Sequence, residues 1–200
     1  MSGKLRRQGP ARPSILVGIL RVARGRADGL MQFGDTPQAF LASLAPLIAF
    51  PVVGAMLMLA GGGGWAALSD LLATLCALLA PPVLSYEPAR FWHRETRWLR
   101  FATALNWCQW ALPAVASLLL IIVYPVLAGA ISARFAAVAV IAALACYALW
   151  LHWFLARHGL AISVARAALL VLVINLGTVL LVLGPQLLAT GSLSRMPGAG

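Results

Sequence analysis

The chain has 200 residues, 62% of them hydrophobic and only 10% charged, with a formal net charge of +10. A soluble domain carries about 25% charged residues, so this composition excludes one. The basic residues stand at the ends of apolar runs of about 20 residues rather than in one polar segment, which excludes nucleic acid as their partner and reads as an all-α, polytopic transmembrane bundle.

Residues 1–13 place Lys4, Arg6, Arg7 and Arg12 among Gly and Pro and read as a disordered basic tail. The apolar patch that follows, Ile15 to Leu20, is too short for the core of a signal peptide. Residues 14–34 read as an amphipathic juxtamembrane helix, with Ile15, Ile19, Val22 and Ala23 on one side of its first part and Arg21 and Arg24 on the other. Asp35-Thr36-Pro37 is a helix start: Asp35 or Thr36 can accept a bond from a free N–H, and proline suits the first helical position. The first span follows at about 40–60, with Pro46 and Pro51 expected to kink it. Gly61–Gly64 is a tight connection to the second span, about 65–84, whose regular helix is expected to stop at Ala80 because Pro81-Pro82 follows.

Tyr86–Trp110 is the stretch around which the rest is organised. Arg90, Arg94 and Arg97 recur at i, i+4, i+7 with His93 and Arg100 beside them, and Phe91, Trp92, Trp98 and Leu99 fall opposite. That is the pattern of an interfacial helix that turns into a span, cations toward phosphates and indoles at the tail boundary. Glu95 has only Phe91, Trp92, Trp98 and Leu99 at helical spacing, so no cation of its own helix reaches it.

The third span is placed at about 102–127 with a kink at Pro113, the fourth at 134–154 and the fifth at 167–188, leaving a short tail from 189 to 200. Ala139/Ala143 offers small residues for close helix approach, and Gly159 is placed to cap the fourth span. With five spans and the N-terminus inside, thirteen of the fifteen Lys and Arg residues fall on the cytoplasmic side, and only Arg134 and Arg195 on the other. The positive-inside bias therefore gives N-in, C-out. Trp92, Trp98, Trp107, Trp110, Trp150 and Trp153 cluster toward the same side.

Few residues carry chemistry. Asp70 is the one acid inside a span, a candidate for proton or cation handling or an interfacial, hydrated carboxylate. Asn106, Gln109 and Ser117 share a face of the third span, and Asn175 and Thr178 form a smaller polar pair in the fifth. Such groups line a pathway or make interhelical hydrogen bonds. Arg21, Arg24, Arg90, Arg94, Arg97 and Arg100 are candidate contacts for anionic lipids. His152 reads as a residue of the aromatic belt, without a second ligand at metal spacing. Cys76, Cys108 and Cys146 are dispersed in apolar runs. No nucleotide, zinc-protease or serine-hydrolase motif occurs, so no catalytic residue, metal or cofactor is expected.

Three pieces, GLMQFGDTPQAFLASLAPLIAFPV (Gly29–Val52), RFATALNWCQ (Arg100–Gln109) and YALWLHWFLARHGLAISVARAALLVLVINL (Tyr147–Leu176), resemble a family of small multi-pass inner-membrane proteins from alphaproteobacteria. In layout that group is similar to the Yip-type, Rab-interacting membrane proteins. The resemblance implies a cytoplasmic N-terminus, five spans and a short far-side C-terminus. The aspartate-leucine-tyrosine-glycine-proline run of the eukaryotic Yip members has no counterpart here. The leading expectation is a non-catalytic membrane protein acting through the bilayer, anionic lipids, self-association or other membrane proteins. The rival is a small transporter or channel subunit using Asp70 and the Asn106 face. A lipid-modifying enzyme would have to be built on Glu95, His93 and Arg97.

Overall fold

The computed structural model describes residues 14–193, with side-chain surroundings up to residue 184. In chain order come α1 (Ile15–Ala23), a 3-10 turn (Ala27–Gln32), α2 (Pro37–Ala60), α3 (Gly64–Phe91), α4 (Glu95–Cys108) and α5 (Ala111–Leu118). A π-helical turn (Leu119–Val123), α6 (Tyr124–Ala130), α7 (Ala133–Gly159) and α8 (Val164–Leu193) complete it. No strand occurs among the described residues. Five segments are long and apolar enough to cross a bilayer: α2, α3, the stretch Glu95–Ala130, α7 and Val164–Gly184. Their outward faces are bare hydrocarbon, with Trp65 84%, Ile121 74% and Phe135 70% exposed. Lipid satisfies such surfaces and water does not, so the chain is a multi-pass helical membrane protein.

The starts of the spans follow from local chemistry. Thr36 Oγ1 accepts the Ala39 N–H at 3.2 Å, with Pro37 as the first helical residue. Ser132 Oγ accepts the Phe135 N–H at the head of α7. Between α2 and α3 the chain needs left-handed backbone at Gly62 (φ 88°) and Gly64 (φ 51°), which the glycine run supplies.

Several expected boundaries move. Residues 14–34 are not one helix: α1 stops at Ala23 and the 3-10 turn follows. Helix α3 does not stop at Ala80 but runs through Pro81, Pro82 and Pro88 to Phe91. The prolines remove backbone donors, yet packing against α2 and α8 keeps the helix in line. Gly177 of α8 gives way at that contact, since a Cβ there would meet Leu84 Cδ1 at 2.6 Å.

Tyr86–Trp110 is likewise two helices, not one. Three elements at this end close with the same device, a left-handed residue after the last turn. In each, the following N–H bonds back to the carbonyl five residues earlier. Gly25 (φ 76°) ends α1, with Arg26 N to Arg21 O at 2.9 Å. His93 (φ 55°) ends α3, with Arg94 N to Ala89 O at 2.8 Å. Ala161 (φ 50°) ends α7, with Ile162 N to Arg157 O at 3.2 Å. Ala161, not Gly159, therefore takes the capping conformation. Gly159 is helical and makes room for Phe101, whose side chain and Cα lie 3.1–3.5 Å from where a Cβ would stand. The third span is interrupted at Gln109–Trp110, just before Pro113. There the Leu112 N–H reaches the Gln109 carbonyl at 3.1 Å in a tightened turn, so the carbonyl that Pro113 cannot serve keeps a partner. Ala139 and Ala143 are both exposed and bring no helix close; Ala136 and Val140 are the buried pair of that stretch.

The core is confined to one end. Val22, Leu30, Phe33, Ala89, Phe101, Leu105, Cys108, Leu151, Leu155, Leu160, Ala167 and Leu170 belong to a single cluster. Trp92, Trp98, Trp107 and Trp153 pack against it. None of its residues lies between 34 and 88 or between 109 and 150. Toward the other end burial is sparse, with Ala55, Ala67, Ala136 and Val140 among the few covered positions. Helix α1 is part of the core rather than merely laid beside it. Gly18 and Val22 face inward and are buried, while Leu16 (73% exposed) and Leu20 face out.

The hairpin of α1 and the 3-10 turn closes through two glycines. A Cβ on Gly18 would stand 2.9 Å from Gln32 Cβ and the Phe33 ring, and one on Gly29 would stand 2.8 Å from Arg21 Cβ and 2.9 Å from the Gly18 carbonyl oxygen. Polar ties finish it: Ser14 N–H to Gln32 Oε1 at 3.1 Å, Arg21 to Asp28 at 3.1 Å, and the Tyr147 hydroxyl to the Ala23 carbonyl at 3.1 Å. Gly29→Ala should therefore destabilise the protein by about 1–3 kcal/mol, because the clash is with backbone and two short side-chain stems that cannot swing away. Thermal or denaturant unfolding of the detergent-solubilised variant measures it, and an unchanged midpoint would contradict the close packing.

Candidate functional site

The turn at His93 sets the first turn of α4 against the 3-10 turn and the end of α7. Thr96, Arg97 and Arg100 then share one cleft with Met31, Asp35 and His158, next to Leu30 and Gly159. Its volume is about 420 Å³, within the range of small-molecule sites, roughly 300–1,000 Å³. Arg100 holds it together. One terminal nitrogen of its guanidinium donates to the Asp35 carboxylate, the residue just before the Thr36 cap. The other donates to the Met31 thioether at 3.8 Å, a weak acceptor. Its Nε is buried with no partner. The Arg100 side chain is 34% exposed, so this is a wet pair and not a buried ion pair.

The six arginines read as lipid contacts stand on three elements of the same end: Arg21 and Arg24 around the end of α1, Arg90 on α3, and Arg94, Arg97 and Arg100 at or in the first turns of α4. Arg24, Arg90 and Arg97 are exposed, and Arg94 is half-buried with an unpartnered Nε. Arg21 is committed to Asp28, which also takes Arg26 at 3.0 Å. The Arg26 hydrogen bond, aided by the charges of Arg26 and Arg21, holds the exposed Asp28 carboxyl below the ordinary carboxylate range. This contribution is present above the ordinary carboxylate value and is lost as pH falls through the lowered one. Arg157 lies over Trp153 at 5.3 Å and Arg166 over Trp92 at 6.0 Å, each a cation against an indole face.

The other candidates do not assemble. Asp70 is exposed, near the start of α3 at the opposite end of the molecule, and makes no hydrogen bond or ion pair among the described residues. Asn106, Gln109 and Ser117 do not form one polar face: Asn106 is wholly buried, Gln109 is half-buried beyond the end of α4, and Ser117 is exposed. Asn175 Nδ2 and Thr178 Oγ1 bond to the carbonyls of Val171 and Ile174 on their own helix, not to a neighbour. His152 is half-buried and its Nδ1 has no partner. Glu95 sits exposed in the first turn of α4, where the helix dipole favours a carboxylate, and bonds neither to His93 nor to Arg97. No group of three His, Cys, Asp or Glu side chains is placed for a metal among the described residues. A second cavity, about 560 Å³, is mostly apolar, lined by Phe40, Leu44, Leu79, Pro82, Val83 and Trp98 together with Tyr86 and Glu87.

Sequence reasoning named Arg97 and Arg100 but missed Asp35, Met31, Thr96 and His158 as their neighbours. Arg100 and Asp35 are 65 residues apart, and no periodicity joins positions at that distance. Asp35 was legible only as a helix start.

Asn106 Nδ2 donates to Ser43 Oγ at 2.9 Å, and Ser43 Oγ donates to the Phe40 carbonyl at 2.6 Å, tying α4 to α2 inside the bundle. Ser43→Ala should cost about 0.6–2 kcal/mol in a detergent unfolding experiment. The Ser43→Ala/Asn106→Leu pair should cost less than the sum of the singles, because removing both partners leaves no orphan donor. Additive losses would mean the bond is not made. No family model, curated protein or solved structure matches the chain.

Proposed function

We propose that the protein is a non-catalytic membrane scaffold that works through anionic lipids or partner proteins at its basic end, with that end in the cytoplasm of a bacterial inner membrane. The observation that carries this reading is the coincidence of charge and packing: Arg24, Arg90, Arg94 and Arg97 are mounted on the one part of the molecule with a continuous core. A rigid cationic platform beside a bilayer attracts acidic headgroups, at about 1 kcal/mol per basic residue near the surface. The excess of thirteen basic residues over two, counted with five spans and the N-terminus inside, supports the placement in the cytoplasm.

The test is purification into discs of mixed anionic and zwitterionic lipid, followed by mass-spectrometric analysis of the lipid retained. Anionic lipid should be enriched at low salt and lose that enrichment as salt rises. The Arg24→Gln/Arg90→Gln variant should lower it by up to about thirtyfold, following about 1 kcal/mol per charge. A protein that runs as a lone monomer with no preference for anionic lipid overturns the reading. Orientation is checked on Glu95→Cys: an impermeant thiol reagent should label it in inverted vesicles and not in intact cells.

A further inference from the structure

We propose that the cleft between the 3-10 turn, α4 and α7 is a binding site for a phosphate ester. This deepens the reading of the basic end as an anion-facing surface and rests on it. Three observations meet there. The first is shape: an indentation of about 420 Å³ exceeds a surface dimple, and Thr96, Arg97, Arg100 and His158 all line it. The second is charge: two guanidiniums face one carboxylate, Asp35, so the cleft keeps a positive excess even with His158 neutral.

The third is the state of Arg100. A guanidinium has five N–H donors, and a buried donor left unpaired is costly. Here one nitrogen meets Asp35, another meets only a thioether at 3.8 Å, and Nε is buried without any partner. Asp35 fixes the plane of the guanidinium while leaving its second terminal nitrogen underserved. A phosphate oxygen would replace the Met31 sulfur as acceptor. Arg97, exposed and without a carboxylate partner among the described residues, would supply the second charge, and the Thr96 hydroxyl a neutral donor. An aliphatic or aromatic ligand would leave every one of these donors unmet. The same phosphate chemistry is offered by a lipid headgroup at the membrane face and by a soluble phosphate ester, and the experiment separates the two.

The full-length protein, in an uncharged maltoside detergent at fixed ionic strength, is titrated calorimetrically with glycerol 3-phosphate and with dihexanoyl phosphatidic acid. Saturable one-to-one binding is expected for at least one probe. Arg97→Gln should weaken it roughly tenfold or more, the loss of one charge-assisted bond, and Thr96→Val by a smaller factor. Arg24→Gln removes the same charge outside the cleft and should change it less than about twofold. Arg100 is left intact because it also anchors Asp35, and Arg97 is exposed, so its replacement spares the core. Equal binding of both probes assigns the site to the phosphate itself. Binding of the lipid alone assigns it to a headgroup with its chains. No saturable binding of either probe, or equal losses for Arg97→Gln and Arg24→Gln, overturns the proposal. Anionic enrichment in discs without cleft binding would sink this inference alone. Cleft binding without enrichment would sink the scaffold reading and leave the cleft standing.

Discussion

Phe101 lies against Gly159, and much else in the molecule depends on that contact. A side chain at residue 159 would put its Cβ 3.1–3.2 Å from Phe101 Cδ2 and Cβ, so glycine lets α4 lie down on the end of α7 without Phe101 having to shift. Once it does, Phe101, Leu105 and Cys108 of α4 meet Leu151, Leu155 and Leu160 from α7 and the turn after it. Each large side chain so covered is worth about 1.5–3 kcal/mol against water. The opposite halves of the helices obey another rule. Hydrocarbon tails are as apolar as leucine, so lipid gives no hydrophobic reason for helices to close on one another. Exposed Leu57, Leu72, Val126 and Ile141 lose nothing by facing it. Packing concentrates at the end that carries most of the described arginines.

That division explains why the arginines matter as a group. A long basic side chain on a loose helix loses rotamer freedom whenever it meets an anion. Here the backbone beneath Arg90, Arg94, Arg97 and Arg100 is held by a capping turn at His93 and by Trp98, whose indole N–H donates to Ser85 Oγ at 3.1 Å. Tyr86 and Phe40 pack on the same indole with centroids 5.1 and 5.4 Å away. Of the aromatic side chains grouped in the sequence opposite the arginines, Trp92 and Trp98 are thus the fasteners of the platform, while Phe91 stays exposed. Trp92 and Trp98 pack on the core as well as serving any belt at the membrane boundary.

How much of this could be read beforehand depends on the range of the physics involved. Hydrophobic runs of bilayer length gave five spans, because length and apolarity are local properties. The Thr36-Pro37 start was equally legible, since a cap involves residues three apart. Helix α3 was misjudged at Pro81-Pro82 because the sequence shows the lost donors but not the neighbours that keep the helix straight. The basic helix from Tyr86 was misjudged for the opposite reason. Its periodicity is real, but a left-handed histidine after Arg90–Trp92 breaks the register, and histidine there gives a weaker signal than glycine. The Asn106 face failed because burial differs along it: Asn106 is enclosed and bonded to Ser43, whereas Gln109 is half-buried and Ser117 is exposed. The cleft lay beyond local inference altogether, since its parts come from positions 31–35, 96–100 and 158.

Arg100 is where fold and candidate chemistry use the same atoms. Its bond to Asp35 ties the entry of the first span to α4, a structural task that a single charge-assisted contact performs well. Nothing in that task requires one remaining donor to meet only a thioether and another to be buried without a partner among the described residues. A purely structural arginine at this position would do as well with a carbonyl or a second carboxylate within reach, and stability alone would favour one. Of the chain's five acids, Asp35 aside, Asp28 is engaged by Arg21 and Arg26, Asp70 lies at the far end, Glu87 lines the second cavity, and Glu95 stays exposed. The cleft therefore keeps its positive excess by the placement of carboxylates elsewhere. An arrangement that withholds counter-charge from a guanidinium anchored on a rigid end is what distinguishes a receptor for an anion from a salt bridge that only holds helices together.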